Sequence, residues 1–194
     1  MIRNIWAIGR NYADHAKELG NSVPAAPMVF LKAGSTAVFS GEIILPTWTQ
    51  DVHHEVELGL IFDDTLEISR ACLALDLTER KRQGEAKSQG APWTLAKSFT
   101  GSCPLSAPFL FSDLNELQNL DLELKINGEI RQKGNTRDMI FPITTLIDYV
   151  RNHFPVCPGD LLLTGTPSGV GPLLRGEFVE AQIPGKISHR WLVK

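Results

Sequence analysis

Two glutamates separated by one residue are the first feature of this sequence that could do chemistry. Glu55 and Glu57 lie in a stretch of histidine and apolar residues at positions 53–58. On a β-strand, residues i and i+2 point to the same face, so the two carboxylates would lie side by side. Adjacent carboxylates repel each other unless a cation or a proton lies between them, and oxygen ligands favour Mg²⁺, Mn²⁺ or Ca²⁺ over zinc. The alternative is an exposed sheet face that carries two solvated glutamates.

Asp76 is a candidate third ligand. It follows the apolar residues 71–75, which are expected to be buried, and a buried aspartate must be paired, hydrogen-bonded or bound to a metal. Three converging carboxylates would form one face of an octahedral site and leave the remaining positions to water and substrate oxygens. Alternatively, Asp76 caps the helix that follows, although Thr78 would serve equally well.

His15 and Glu18 form a second candidate pair. Residues three apart share one face of a helix, and a carboxylate can orient and polarise an imidazole that acts as a general base. An ordinary exposed helical pair is the alternative interpretation. Arg10 precedes this pair and could hold a carboxylate with its bidentate guanidinium, or it could have a structural role.

Lys97 and a glycine-rich stretch complete the candidates. Lys97 follows an apolar segment that contains Trp93, so its ammonium is expected to be partly desolvated and able to stabilise an enolate or oxyanion. A snorkelling lysine at a strand end is the alternative. Residues 163–171 contain three glycines, whose backbone amides can approach an anionic ligand closely. This stretch lacks the Gly-Lys-Ser/Thr ending of a P-loop, and a plain loop between strands is the alternative.

Hydrophobic periodicity predicts the elements that would position these residues. A helix is expected after a Thr78 N-cap and before Gly90, and Asn127-Gly128 predicts a tight hairpin. One strand, 53–62, is expected to carry both glutamates. The predicted strands are 2–8, 28–32, 42–45, 53–62, 71–77, 120–126, 129–132, 161–164, 177–183 and 187–193, and the predicted helices are 12–19, 79–89 and 142–154. Many short strands with few short helices predict an α+β, mainly β fold.

Composition excludes several classes of function. The 194 residues fit one domain with a full core. A formal net charge of −3 without a basic stripe argues against nucleic-acid binding. No apolar run has membrane-spanning length, and the first residues lack the pattern of a signal peptide. The three cysteines show neither zinc-like spacing nor a disulfide framework, so a reducing compartment is expected, the cytoplasm in the simplest interpretation and a mitochondrial-type compartment as the alternative.

The motifs, taken in order along the chain, resemble the fumarylacetoacetate hydrolase family in its short single-domain branch. Each motif is weak alone, but the ordered set is specific and runs from residue 9 to about residue 171. The motifs are Gly-Arg-Asn-Tyr-Ala-Asp-His at 9–15, Phe-Leu-Lys at 30–32, His-His-Glu-Val-Glu-Leu at 53–58, Ala-Leu-Asp-Leu-Thr at 74–78, Pro-Trp-Thr-Leu-Ala-Lys-Ser-Phe at 92–99, Ser-Cys-Pro at 102–104, Asn-Gly-Glu at 127–129, Asp-Met-Ile at 138–140 and Leu-Thr-Gly-Thr-Pro at 163–167.

The resemblance implies a mixed β-sandwich or β-roll, a homodimer and a single catalytic domain over residues 1–194. It implies a divalent metal, Mg²⁺ or Mn²⁺, on Glu55, Glu57 and Asp76. It also implies that the segment with His15 and Glu18 is a lid that orders over bound substrate, so residues 12–25 are expected to be mobile without a ligand.

The resemblance also assigns residues to the substrate, a small anionic 2-oxo acid. Lys97 is expected to face the reacting centre. Arg80, Gln83 and Thr166 match substrate contacts, and Arg10 joins them as a candidate. Three departures from the family pattern stand out: Lys81 replaces an aspartate, Ala33 replaces a proline, and the stretch between Glu57 and Asp76 is shorter than usual.

The expected reaction is metal-dependent cleavage of a C–C bond in an acylpyruvate or in oxaloacetate, through an enolate that the metal and Lys97 stabilise. Hydrolysis would need water activated by His15 and Glu18, whereas decarboxylation would not. An isomerase or tautomerase of a 2-oxo or 2-hydroxy-enoic diacid is the open alternative. The shortened stretch and Lys81 also leave room for a catalytically impaired binding protein, and a real shortening before Asp76 would put the sheet there in doubt.

Overall fold

The computed structural model describes residues 1–18, 20 and 24–194. The strands are β1 (Asn4–Gly9), β2 (Met28–Ala33), β3 (Ala37–Val38), β4 (Glu42–Ile43), β5 (Val52–His54), β6 (Val56–Phe62), β7 (Ile68–Leu75), β8 (Thr78–Glu79), β9 (Cys103–Pro104), β10 (Asp121–Ile126), β11 (Glu129–Asn135), β12 (Leu161–Leu163), β13 (Gly171–Pro172), β14 (Phe178–Ile183) and β15 (Ile187–Val193). The helices are α1 (Ala13–Glu18), α2 (Arg80–Gln89), α3 (Thr94–Lys97), α4 (Leu114–Leu117) and α5 (Ile143–His153). The predicted mainly β, α+β class is confirmed.

Two five-stranded sheets form the body of the protein. The first has the strand order β2-β1-β12-β6-β7, in which β1 is parallel to β12 and the other neighbours are antiparallel. The second has the order β11-β10-β14-β15-β4 and is antiparallel except where β15 meets β4. A small sheet, β13-β5-β8, lies at the carboxylate residues. The mixed pairing agrees with the β-sandwich that the resemblance implied.

The core fills the space between the two large sheets. Residues at alternate positions of β6 and β7 pack against alternate residues of β10, β14 and β15, as the period of two along a strand requires. A second apolar cluster covers the opposite face of the first sheet and includes Ala7, Cys72 and Leu161. Because this sheet is buried on both faces, its strands are continuously apolar, which explains the uninterrupted run at 71–75.

The strand predicted over residues 53–62 is interrupted at Glu55. Its first part, β5, pairs with β8 and β13, whereas β6 pairs with β7 and β12 in the large sheet. The physical reason is a side chain from elsewhere: the Gln132 amide oxygen accepts the backbone N–H of Val56 at 3.0 Å, so this N–H does not enter a strand ladder. Glu55 therefore lies at a junction between two sheets.

The short segment between Glu57 and Asp76 forms a compact turn. Residues 63–67 join β6 to β7, and the backbone N–H of Asp63 donates to the carbonyl of Glu67 at 2.8 Å. The register shifts once, between Ile61 and Phe62, and is then continuous up to the pair Val56 and Leu75. The sheet next to Asp76 is thus intact despite the shortening.

Helix α2 begins one residue later than predicted. Thr78 belongs to β8, where its hydroxyl donates to the Asp76 carbonyl at 3.0 Å, so it is not the cap. The Glu79 side chain caps the helix instead by accepting the backbone N–H of Arg82 at 2.5 Å. The C-terminal end at Gly90 is confirmed, since Gly90 adopts a left-handed conformation with φ 63°.

The hairpin predicted at Asn127-Gly128 is also confirmed. Both residues have positive φ, 51° and 86°, which is the conformation of a type I′ turn, and they join β10 to β11. Strand β11 continues to Asn135 and brings Gln132 to the junction at Glu55. Among the described residues, no helix has the length and apolar character needed to cross a bilayer.

Candidate active site

Three buried carboxylates meet beside the first sheet. Glu57 lies on β6, Asp76 directly follows β7, and Glu55 lies at the junction that precedes β6; their residues are 1%, 1% and 5% exposed. One oxygen of each lies within 4.8 Å of the others. The pairing of β6 with β7 and a 2.8 Å hydrogen bond from the Asp76 backbone N–H to the Glu55 carbonyl hold the three together.

Cationic side chains neutralise two of these carboxylates. The Lys97 ammonium donates to both Glu55 (2.8 Å) and Asp76 (2.5 Å). Arg80 donates to the other Glu55 oxygen at 2.6 Å. Burial by itself would raise the pKa of Glu55, but Lys97 and Arg80 outweigh it and hold that pKa below its usual range. For Lys97, burial lowers the pKa but Asp76 and Glu55 outweigh it, so the pKa is raised and the ammonium stays charged.

Lys32 is a buried lysine to which sequence reasoning assigned no role. Its ammonium donates to the second Asp76 oxygen at 2.5 Å, to the Ser102 carbonyl at 2.7 Å and, more weakly, to the Leu77 carbonyl at 3.4 Å. Three acceptors fix both the ammonium and the carboxylate. The signal in the sequence was present, because Lys32 belongs to the Phe-Leu-Lys motif.

Glu57 has no cationic partner among the described residues. Its hydrogen bond comes from the backbone N–H of Gly165 at 2.6 Å. Burial and the neighbouring charges of Asp76 and Glu55 raise its pKa well above the usual value. A buried carboxylate in this position needs either a proton or a cation, and the three oxygen donors fit a hard divalent ion.

Helix α1 places His15 over the same cavity. His15 is 5% exposed, its Nδ1 lies 3.1 Å from an oxygen of the exposed Glu18, and its side chain lines the cavity, so only the imidazole of the pair is buried. Glu18 also accepts the backbone N–H of Gly169 at 3.1 Å, which docks α1 on the glycine-rich loop. Of the predicted mobile segment 12–25, residues 19 and 21–23 lie outside the described part of the chain, and its mobility stays a prediction.

The glycine-rich stretch 163–171 has a different role from the one expected. The amides of Gly165 and Gly169 bind the carboxylates of Glu57 and Glu18, so they are not directed at a ligand anion as predicted. Gly165 has φ 98°, and a β-carbon there would lie 2.7 Å from that of Asn11, so this position requires glycine. The loop is a scaffold for acidic side chains.

Gln132 connects this loop to the acidic junction. Its amide oxygen accepts from His54 Nδ1 at 2.9 Å and from the Val56 N–H, while its amide nitrogen donates to the Thr166 hydroxyl at 2.8 Å and the Pro167 carbonyl at 2.9 Å. All its polar atoms are satisfied in a fully buried position. Gln132 was missed because it lies 75 residues or more from its first two partners in sequence.

A small cavity, open to solvent, lies over these groups. All site residues predicted from the sequence line this cavity, with the exception of Glu18. Glu18 contacts His15, which does line it. Sequence reasoning missed a second group of lining residues, of which only Lys87 is charged: Ile8, Gly9, Met28, Phe30, Lys87 and Trp93. Lys87 has a recognisable signal, because it lies seven residues after Arg80 on the same helix face.

Similar proteins are known from sequence and structure. Residues 4–191 match the family model described as fumarylacetoacetate hydrolase C-terminal. The chain is 43% identical to the mouse mitochondrial oxaloacetate tautomerase, over 99% of this chain and 92% of the relative. It is also 43% identical to the mitochondrial oxaloacetate decarboxylase of Dictyostelium discoideum, over 94% of this chain and 89% of the relative. The crystal structure of the Pseudomonas aeruginosa fumarylpyruvate hydrolase, in complex with Mn²⁺ and pyruvate, superposes with a TM-score of 0.90 at 28% identity, covering 100% of this chain and 91% of that one.

Proposed function

This chain belongs to the fumarylacetoacetate hydrolase family, and from that premise we propose that it is a divalent-metal-dependent enzyme that cleaves a C–C bond in small 2-oxo acids. The substrates would be acylpyruvates, oxaloacetate or both. The observation that carries the proposal is Glu57, a buried carboxylate with no cationic partner among the described residues, next to Glu55 and Asp76. Residues 1–194 would form a single catalytic domain.

The metal would be held by Glu55, Glu57 and Asp76, and it would be Mg²⁺ or Mn²⁺. The oxygen-only donor set supports both ions, and the Mn²⁺ in the Pseudomonas relative supports the second. When bound, such an ion supplies Lewis acidity toward carboxylate and oxo oxygens of a substrate. Lys32 would keep the Asp76 carboxylate oriented with and without a bound metal, because Lys32 itself does not line the cavity.

Lys97 would stabilise the negative charge that develops on the enolate oxygen. Its ammonium stays charged at neutral pH and lines the cavity beside the carboxylates. Preorganised cations in a water-excluded site contribute most where charge develops in the transition state. Arg10, Arg80, Gln83 and Thr166 line the same cavity and would contact the substrate, Arg80 and Gln83 at a carboxylate.

His15 and Glu18 would supply the proton transfers. In hydrolysis, His15, oriented by Glu18, would take a proton from the water that attacks the distal carbonyl. Decarboxylation needs no such water. A tautomerase is the second candidate function, because it needs only proton movement between carbon and oxygen, and the mouse relative is named for that reaction.

The impaired-binding-protein alternative has little support. Lys81, one of the two departures that motivated this alternative, is exposed on α2 and does not line the cavity. The shortened segment leaves β6 and β7 in register beside Asp76. His15 and Lys97 line the cavity, and Glu18 contacts His15, which supports a catalytic protein.

The test is turnover of oxaloacetate and acetylpyruvate by chelator-treated protein with and without added Mg²⁺ or Mn²⁺. Loss of the enol absorbance and formation of pyruvate, measured in parallel, separate tautomerisation from cleavage. We expect turnover that returns with the metal and is absent in Glu57→Gln. Metal-independent turnover, or full activity in Glu57→Gln, would contradict the proposal. If the wild type interconverts keto and enol forms but releases no pyruvate, the tautomerase replaces the cleavage reaction.

The compartment and the assembly state are further proposals. The sequence predicts a cytoplasmic protein, whereas the mouse and Dictyostelium relatives are mitochondrial. The three cysteines are free thiols, which suits a reducing compartment of either kind. A homodimer, as the family resemblance implies, is tested by light scattering of the purified chain.

A further inference from the structure

We propose that Lys87 binds a second, distal carboxylate of the substrate, so that the enzyme prefers 2-oxo dicarboxylates to 2-oxo acids with an uncharged tail. This inference rests on the proposed function, because it assigns the substrate class of the same cavity. Lys87 lines that cavity together with Arg10, Arg80 and Lys97.

One face of α2 carries the relevant side chains. Arg80, Gln83 and Lys87 have the spacing i, i+3 and i+7, and all three line the cavity. Arg80 is engaged by Glu55 at 2.6 Å and by the Gln83 amide oxygen at 2.8 Å. Lys87 lies about two turns farther along the helix, and its ammonium lies over the ring of Trp93, which lines the same cavity.

Phe30 and Trp93 form an aromatic wall of the cavity, and each ring contacts one of the two cavity lysines. The Lys87 ammonium lies 5.2 Å from the centre of the Trp93 ring, and the Lys97 ammonium lies 5.0 Å from the centre of the Phe30 ring. The two rings contact each other, with centroids 5.7 Å apart. Cation–π contacts allow an ammonium to remain charged without a carboxylate partner. The wall therefore presents two separate positive charges to one cavity.

The surroundings of Lys87 lack an anion that would neutralise it. Among the described residues it forms neither an ion pair nor a hydrogen bond, whereas Lys97 and Arg80 are both paired with Glu55. Burial lowers the pKa of Lys87, the nearby charges of Arg10, Arg80 and Lys97 lower it further, and the charge of Glu55 opposes them only in part. A group surrounded by like charges is stabilised by an incoming anion.

Arg10 is the natural second donor for this anion. Its Nε is buried and has no hydrogen-bond partner among the described residues, and its backbone has φ 59°, a conformation that residues other than glycine rarely adopt. Such conformations cluster at ligand sites, where the surrounding structure holds them. The carboxylate cluster would define one end of the substrate site, and Arg10 with Lys87 would define the other.

The first experiment compares kcat/KM for oxaloacetate, which has a distal carboxylate, and acetylpyruvate, which has a methyl ketone there. We expect Lys87→Met to lower kcat/KM for oxaloacetate about 10- to 100-fold, mainly through KM, as expected for the loss of one charged hydrogen bond. The value for acetylpyruvate should change less than about twofold. Lys87→Arg should keep most of the preference. Lys81→Met, an exposed lysine of the same helix, is the matched control and should resemble the wild type.

The second experiment measures binding without turnover, by calorimetry in the presence of Mn²⁺. The probes are 2-oxoglutarate and 2-oxopentanoate, which share a five-carbon chain and differ in the distal carboxylate. Lys87→Met should weaken only 2-oxoglutarate, by about 10-fold or more. Equal losses for both ligands, or no loss for either, would overturn the role of Lys87 and leave the proposed function standing. Absence of turnover by the wild type would overturn the proposed function. The two calorimetric affinities would still test whether Lys87 binds a distal carboxylate.

Discussion

At the scale of single residues, Lys97 is a cation that contacts both the acidic cluster and the cavity. Its ammonium bridges Glu55 and Asp76 and faces the cavity. We predict that Lys97→Ala lowers kcat about 10²- to 10³-fold and raises KM much less, because the enolate charge develops mainly in the transition state. Steady-state kinetics on oxaloacetate give both parameters. A rise in KM as large as the fall in kcat would assign Lys97 to ground-state binding instead.

Glu18 allows the possible reactions to be separated. It lies 3.1 Å from His15 Nδ1, and only hydrolysis requires an oriented water. We predict that Glu18→Ala abolishes acylpyruvate hydrolysis and leaves measurable tautomerisation. Asp14→Ala, an exposed carboxylate of the same helix, is the control and should leave both reactions unchanged. Undiminished hydrolysis by Glu18→Ala would remove the water-activating role.

At the scale of elements, Gln132 joins β11 to the site, because its side chain accepts hydrogen bonds from the two residues that flank Glu55. Replacing it with leucine would leave the Val56 N–H and His54 Nδ1 without their acceptor, and a buried unsatisfied group costs about 1–3 kcal/mol. We predict that Gln132→Leu lowers the free energy of unfolding, measured in urea, by at least this amount. The substitution should also weaken Mn²⁺ binding, because Glu55 and Glu57 are the residues on either side of Val56.

Gln118 provides the control for that substitution. It binds the Thr136 carbonyl at 2.6 Å and the Ile143 N–H at 2.7 Å, and it does not line the cavity. Gln118→Leu should therefore cost stability without changing Mn²⁺ affinity or KM. If both variants weaken Mn²⁺ binding equally, Gln132 has only a structural role.

The same elements show what the sequence can and cannot reveal. The β10–β11 hairpin was predictable because Asn127-Gly128 is a local signal. The cluster of three carboxylates was predictable because the spacing of two glutamates on a strand and an aspartate after an apolar run are also local signals. The break at Glu55 was not, because it depends on Gln132, and neither was the pairing of Asp76 with Lys32, 44 residues away. Long-range side-chain contacts override local periodicity at the site.

At the scale of the whole molecule, burial on both faces of the first sheet protects two of the three cysteines. Cys72 and Cys103 are fully buried, and burial raises both pKa values, that of Cys103 to about 12. Because the thiolate is the reactive form, we predict that the native protein at pH 8 exposes only Cys157 to a chromogenic disulfide reagent. Denatured protein should titrate as three thiols. Fast reaction of more than one thiol in the native state would show that this sheet opens readily.

The acidic cluster links metal binding to the stability of the whole fold. Glu55, Glu57 and Asp76 are buried between sheet elements that come together only in the folded chain, so an ion that binds them stabilises the native state alone. At a free concentration 100 times Kd this amounts to about 2.7 kcal/mol, which in a domain of this size corresponds to a rise in Tm of roughly 5–11 °C. We predict this rise on adding Mn²⁺ to chelator-treated protein, followed by calorimetry. Glu57→Gln removes the carboxylate that has no cationic partner among the described residues, so its Tm without metal should be close to or above that of the wild type, and its response to Mn²⁺ should be largely lost. An equal rise in both proteins would place the stabilising ion elsewhere.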